Sequence, residues 1–148
     1  MQSEMHFTHH FVEYIPAELE SGILYVSIPF ATAVHKCACG CGREVVTPLS
    51  PTGWQVTFDG KTVSLSPSIG NWSFPCRSHY WITRDRILWA KSMSEREIEA
   101  GRRRDRSLTA RHYDDASQEE SISPIEVGES RGEPRESFWR RLRNLLSR

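Results

Sequence analysis

The 148-residue chain has no excess of either charge, since 19 Lys and Arg balance 19 Asp and Glu. A zero net charge exerts no general pull towards nucleic acid or an anionic membrane surface. No apolar run approaches the roughly 20 residues that a membrane-spanning helix needs. The opening residues, MQSEMHFTHHFVEY, lack a basic segment followed by an apolar one, so no signal peptide is expected. A cytoplasmic, reducing location is the resulting expectation, and closely spaced cysteines there are read as metal ligands before disulfides. Apolar side chains are scarce at the far end: only 15 of the last 58 residues qualify, too few for a second core.

Charge and cysteine divide the chain. Residues 1–90 carry 13 of the 38 charged side chains, all four cysteines and four of the five tryptophans. The predicted organisation is an N-terminal arm (1–21), a zinc-binding β-domain (22–90), a helical segment (91–113), a disordered acidic linker (114–136) and an amphipathic basic helix (137–148).

The β-domain should hold about six or seven strands, in a small zinc-ribbon-like or β-sandwich-like fold. GILYVSI (22–28), FATAVHK (30–36) and REVVTPL (43–49) are rich in β-branched and aromatic residues and read as strands. In GWQVTFDGKTVSLSP (53–67) the alternating runs flank Asp59-Gly60, which predicts a hairpin with a type I′ turn. SPSIGNWSFP (66–75), with two prolines and a glycine, reads as a loop, and HYWITRDRILWA (79–90) as a second hairpin turning at Thr83–Asp85. From Ser92 onward, serines and glutamates suit a helix N-terminus. Phe138, Trp139, Leu142, Leu145 and Leu146 share one face of a helix, with arginines opposite. GRRRDR (101–106) is read as a solvated basic stretch, and no nucleic acid is expected as partner.

Three cysteines crowd one turn in HKCACGCG (35–42), and the fourth lies in PCRSH, with His79 three residues after Cys76. Two such turns, pinning one tetrahedral ion, make the two-knuckle layout of a zinc ribbon. Gly40 and Gly42 suit tight turns whose N–H groups face sulfur. Cys37, Cys39, Cys41, Cys76 and His79 are five candidate ligands for four positions, with His35 a sixth. Either two cysteines of the turn join Cys76 and His79, or all four cysteines bind and His79 is left free.

The second dense stretch, SLSPSIGNWSFPCRSH (64–79), holds Ser68, Gly70 and Asn71 close to that histidine. These are the parts of acyl transfer: Ser68 as nucleophile, His79 or His35 as base, Gly70 or Asn71 at the oxyanion, Asp59 or Asp85 orienting the base. Trp54, Trp72, Tyr80, Trp81 and Trp89 are read as core. The bland alternative is a surface loop in which Ser68 closes a turn.

HKCACGCG, GW, SLSPSIGNW and PCRSHYWI…ILWA together resemble a bacterial family labelled domain of unknown function 6527, over roughly residues 22–90. The resemblance implies association with ubiquitin-like proteins and their activating and conjugating enzymes, in gene clusters linked to phage defence. It also implies a need for a protease that trims or removes the ubiquitin-like protein. The chain lacks the His-x-His pair of the JAB-type metalloproteases found in some such clusters. A serine-type peptidase with a structural zinc is therefore the first expectation. A non-catalytic zinc-ribbon-like adaptor that docks a pathway protein through FWRRLRNLL is the second.

Overall fold

The computed structural model describes residues 5–120, with side chains to Ser117. Contacts divide the chain into Met1–Ala116 and Ser117–Arg148; of the second unit only residues 117–120 are described, as the last turn of a helix. The described residues are mainly β: β1 (Thr8–Phe11), β2 (Ile23–Ser27), β3 (Thr32–Lys36), β4 (Glu44–Pro48), β5 (Gln55–Phe58), β6 (Val63–Gly70), β7 (His79–Thr83) and β8 (Arg86–Trp89), then one helix, α1 (Glu95–Glu120). They form two four-stranded sheets, ordered β1-β2-β3-β4 and β5-β6-β7-β8. Only β1 pairs parallel, with β2.

Period-two patterning explains how the sheets meet. Leu24, Val26, Ala33 and Val45 of the first sheet share one core with Val63, Leu65, Ile69, Tyr80, Ile82 and Ile87 of the second. Each such buried aliphatic side chain contributes roughly 1.5–3 kcal/mol. The first sheet is covered on its other face too. Tyr25 and Val34 pack with Leu19, Val12, Ile15 and Ile23, so the chain between β1 and β2 wraps back over it. This is why β2 is buried along almost its whole length rather than alternating.

The expected N-terminal arm contains β1, a strand the sequence reading did not anticipate. Its THHF shows little apolar alternation, and its main chain is held by β2. The first hairpin of the second sheet forms, but not on a type I′ turn. Phe58 pairs with Val63 and Asp59 N–H donates to the Thr62 carbonyl at 3.2 Å, so the central pair of the turn is Gly60-Lys61, and of these Gly60 alone has positive φ. Asp59 closes it by accepting bonds from the N–H groups of Lys61 and Thr62 and from the Thr62 hydroxyl. Those bonds, Thr62 first, hold its carboxyl down at about 2. The turn with two positive-φ central residues is instead Arg84-Asp85 (φ 50° and 61°), between paired Thr83 and Arg86. Neither residue is glycine; the turn is held from outside, by Arg84 N–H donating to Ser64 Oγ, Asp85 N–H to the Val63 carbonyl and Val63 N–H to Asp85 Oδ1.

Two further differences matter for function. The stretch expected to be a loop from residue 66 continues as strand to Gly70, through a cis Ser66–Pro67 bond. α1 is capped as expected, Ser94 and Glu97 bonding reciprocally (Ser94 N–H to Glu97 Oε2 at 2.7 Å, Glu97 N–H to Ser94 Oγ at 3.4 Å). It runs beyond 113 to Glu120, into the segment expected to be disordered, because extending a formed helix costs far less than nucleating one. The rest of the predicted acidic linker and the basic helix 137–148 lie outside the described residues. No described helix is long and apolar enough to cross a membrane.

Candidate active site and metal centre

The strand–strand register builds the first centre. Between β6 and β7, Leu65 pairs with Ile82 but Ile69 with Tyr80. Three residues of β6 thus stand against one of β7, and Ser66, Pro67 and Ser68 form a bulge. Proline has no N–H to give a ladder, and a bulge re-aims the side chains it carries. Beyond it Gly70 faces His79. Ser68, two residues before Gly70, emerges on the face that carries His79, the side of the second sheet away from the core.

On that face Ser68 Oγ lies 3.0 Å from His79 Nε2, and His79 Nδ1 lies 2.8 Å from the Lys91 carbonyl oxygen. A carbonyl only accepts, so Nδ1 carries the proton of the neutral ring and Nε2 is left bare. The Ser68 hydroxyl therefore donates to it, the alignment a nucleophile and its general base require. The Trp72 indole fixes the ring from the side, its centroid 4.9 Å from that of His79. Trp72 can lie there because residue 70 is glycine: a Cβ on Gly70 would stand 2.3 Å from the indole nitrogen. Arg77, paired with Glu95 at 2.7 Å, places its guanidinium 6.0 Å from the centroid of the same indole.

A groove of about 600 Å³ opens over the pair. Pro67, Ser68, Gly70, His79, Trp54 and Trp72 line it, together with Ile98, Gly101 and Asp105 of α1.

The second centre lies behind β7. The sulfurs of Cys37, Cys39, Cys41 and Cys76 all fall within 4.8 Å of one another. A tetrahedral ion with metal–sulfur bonds of about 2.3 Å has sulfur–sulfur edges of about 3.8 Å. Cys37–Cys39 is 3.4 Å, Cys37–Cys76 is 3.9 Å and Cys41–Cys76 is 3.8 Å, and no two are bonded as a disulfide. The donor set thus fits a four-sulfur metal site. Gly40 and Gly42 supply the positive φ (83° and 76°) that lets the turn fold its thiols inward. His79 is outside this group, both ring nitrogens being engaged elsewhere.

The remaining predicted residues serve the inner face. His35 is fully buried, its Nε2 2.8 Å from the Tyr80 hydroxyl and its Nδ1 without a partner; burial holds its pKa down to about 4, so it is neutral at pH 7. The Asn71 amide donates to Ser78 Oγ (2.9 Å) and reaches the Tyr80 hydroxyl (3.4 Å), while its N–H goes to the Ser78 carbonyl. Ser78 Oγ lies 3.1 Å from Cys37 Sγ. His35 and Asn71 thus brace the metal turn, and neither is arranged with Ser68. Asp59 closes its own loop and Asp85 holds His9 and Val63, so neither orients His79. The Lys91 carbonyl does, and a main-chain atom leaves no residue-type signal in a sequence. Tyr80, read only as an aromatic of the core, also supplies the hydroxyl that joins these inner groups.

A small two-sheet protein with a serine–histidine pair on one face and four clustered thiols behind it has the parts of a serine hydrolase stiffened by a metal. The family model for the bacterial ubiquitination-like system serine protease (BubE) matches residues 11–90, more than half of the chain, and the chain belongs to that family. The match carries the ubiquitin-like association that the motifs suggested, under a different family label. No curated protein and no solved structure matches the chain.

Proposed function

We propose that this protein is a zinc-stabilised serine peptidase that processes or removes a bacterial ubiquitin-like protein. The observation that carries the reading is the Ser68–His79–Lys91 carbonyl chain, at 3.0 and 2.8 Å beneath a groove, with Ser68 and His79 inside the family-matched region and Lys91 one residue beyond it. Ser68 Oγ attacks the scissile carbonyl as its proton passes to His79 Nε2. Collapse of the tetrahedral intermediate breaks the C–N bond, and His79 returns that proton to the leaving amine. Water, deprotonated by the same nitrogen, then hydrolyses the acyl-serine ester. The Lys91 carbonyl keeps the tautomer correct, although without a carboxylate's charge it stabilises the imidazolium less. Gly70 N–H is the donor available for the oxyanion, since the Asn71 groups are already bonded.

Zinc suits the four thiols; when bound it supplies a rigid cross-link between the β3–β4 turn and the segment before β7, not a reacting group. The link to phage defence belongs to the same proposal. The adaptor alternative depends on residues 137–148, which lie outside the described residues.

Incubation with a ubiquitin-like precursor from the same gene cluster tests the reading. The native protein should cleave it, and Ser68→Ala should lower the rate on the order of 10⁴-fold or more while the fold persists. Equal cleavage by Ser68→Ala would remove that residue from the role.

A further inference from the structure

β5 abandons β6 just before the catalytic stretch. Their last pair is Gln55 with Ser66, and the preceding residue, Trp54, spends its N–H on the Pro48 carbonyl and its carbonyl on Ser50 N–H. Trp54 thereby joins the end of β4, and no strand accompanies β6 from Pro67 to Gly70 on that side. The main-chain groups at this free edge follow from the ladder. Asn71 N–H donates to the Ser78 carbonyl at 2.9 Å, so that pair is hydrogen-bonded and the next, Gly70 with His79, is not. Gly70 therefore turns both its N–H and its C=O away from β7, towards the side β5 has left. They reach the groove that Ser68, Gly70 and Trp54 line.

α1, which begins after the last family-matched residue, also lines the groove. It is anchored by Ile98, 3 % exposed, and by a Thr109–Thr52 hydroxyl contact at 3.3 Å. One turn after Ile98 the helix has a glycine where helices favour other residues. Gly101 lines the groove, and a Cβ there would meet nothing within 4 Å. The glycine is not needed for packing or for φ, and it borders the same groove as Ser68 and Gly70.

We propose that this groove is the substrate-tail subsite: an extended polypeptide segment threads between α1 and β6, pairs with the free edge at Gly70, and passes under Gly101. The inference rests on the peptidase reading and adds how the chain is recognised. The substrate residue opposite Gly70 donates its N–H to the Gly70 carbonyl and sets its own carbonyl on Gly70 N–H, beside Ser68 Oγ. That residue is the one whose carbonyl is attacked. Recognition by added-strand pairing reads main chain, and alternate substrate residues turn their N–H away from β6.

Two readouts separate this proposal from the one beneath it. Phenylmethylsulfonyl fluoride labels an activated serine without needing a long groove, whereas a peptide spanning the precursor's cleavage site needs both. In the full chain, Gly101→Trp should keep native labelling of Ser68 and lose peptide cleavage by about a hundredfold, the scale on which misplacement is felt. A peptide N-methylated at the residue whose carbonyl is cleaved should resist the native protein, and one methylated at the following-but-one amide should resist it too, while methylation at the residue preceding the cleaved one should be tolerated. Gly101→Trp that cleaves like the native protein, or methylation effects that do not alternate, would overturn the subsite and leave the peptidase intact. Native protein that neither labels at Ser68 nor cleaves would overturn both.

Discussion

His79 and Tyr80 are neighbours in β7 and face opposite ways, and almost every chemical group of interest belongs to one side or the other. On Tyr80's side the groups are joined in a largely buried network. The Tyr80 hydroxyl takes the Ala38 N–H and the Asn71 amide and meets His35 Nε2, and Asn71 and Ser78 lean on Cys37. On His79's side the bonds are few and the groups half-exposed, ending at a hydroxyl that can leave its partner and react. Two histidines equally eligible by residue type thus have different uses. His35 is dry, neutral and already bonded to a phenol, while His79 has its proton placed by a carbonyl and its free nitrogen at a serine. A buried network specifies position; an open pair performs chemistry.

The comparison breaks most severely if the proposed zinc is withdrawn. A bound structural zinc contributes on the order of 10 kcal/mol in small metal-dependent domains. Stripping it with a strong chelator should abolish cooperative thermal unfolding and, with it, labelling of Ser68, since Cys76 and His79 belong to one short segment. An unchanged melting temperature in metal-free protein would show that the four thiols are not a staple.

Tyr80→Phe attacks the inner side alone. Removing one hydroxyl leaves His35 Nε2 unpaired and deprives the Asn71 amide and Ala38 N–H of an acceptor, which should cost about 1–3 kcal/mol in urea unfolding. Cleavage measured well below the melting temperature should stay near native, because the outer pair shares no bond with that hydroxyl. Lost activity at undiminished stability would mean that the two faces are coupled. Smaller still is Ser94→Ala, which removes the α1 cap for about 1 kcal/mol. Amide exchange in the first turn of α1 should rise while the β-core stays protected; equal exchange throughout would contradict a locally held helix.

The residues of both centres were legible as types and spacings. Three thiols in five residues, and a Cys-x-x-His beyond, suggested a metal turn; Ser68, Gly70 and Asn71, close in the chain to His79, suggested the parts of acyl transfer, with the base left open between His79 and His35. Secondary structure was legible wherever apolar residues alternate. It failed at β1, whose stability is lent by β2, and at Ser66–Gly70, where two prolines and a glycine suggest a loop but a bulge accommodates them within a strand. The positive-φ turn fell at Arg84-Asp85 rather than Asp59-Gly60 because bonds from β6 hold it there, and such support is invisible to local propensity.

Residue chemistry by itself, then, was determined by the sequence: the candidate donor atoms, nucleophile and bases, and the short distances along the chain that keep them available to one another. The tertiary structure decided which histidine faces the serine, that a main-chain carbonyl orients it, and that four sulfurs group without an imidazole. The reason is geometric. A strand's pleat sends adjacent side chains to opposite faces, and a bulge shifts that alternation, so which face a residue occupies depends on a register set by partners far away in the chain.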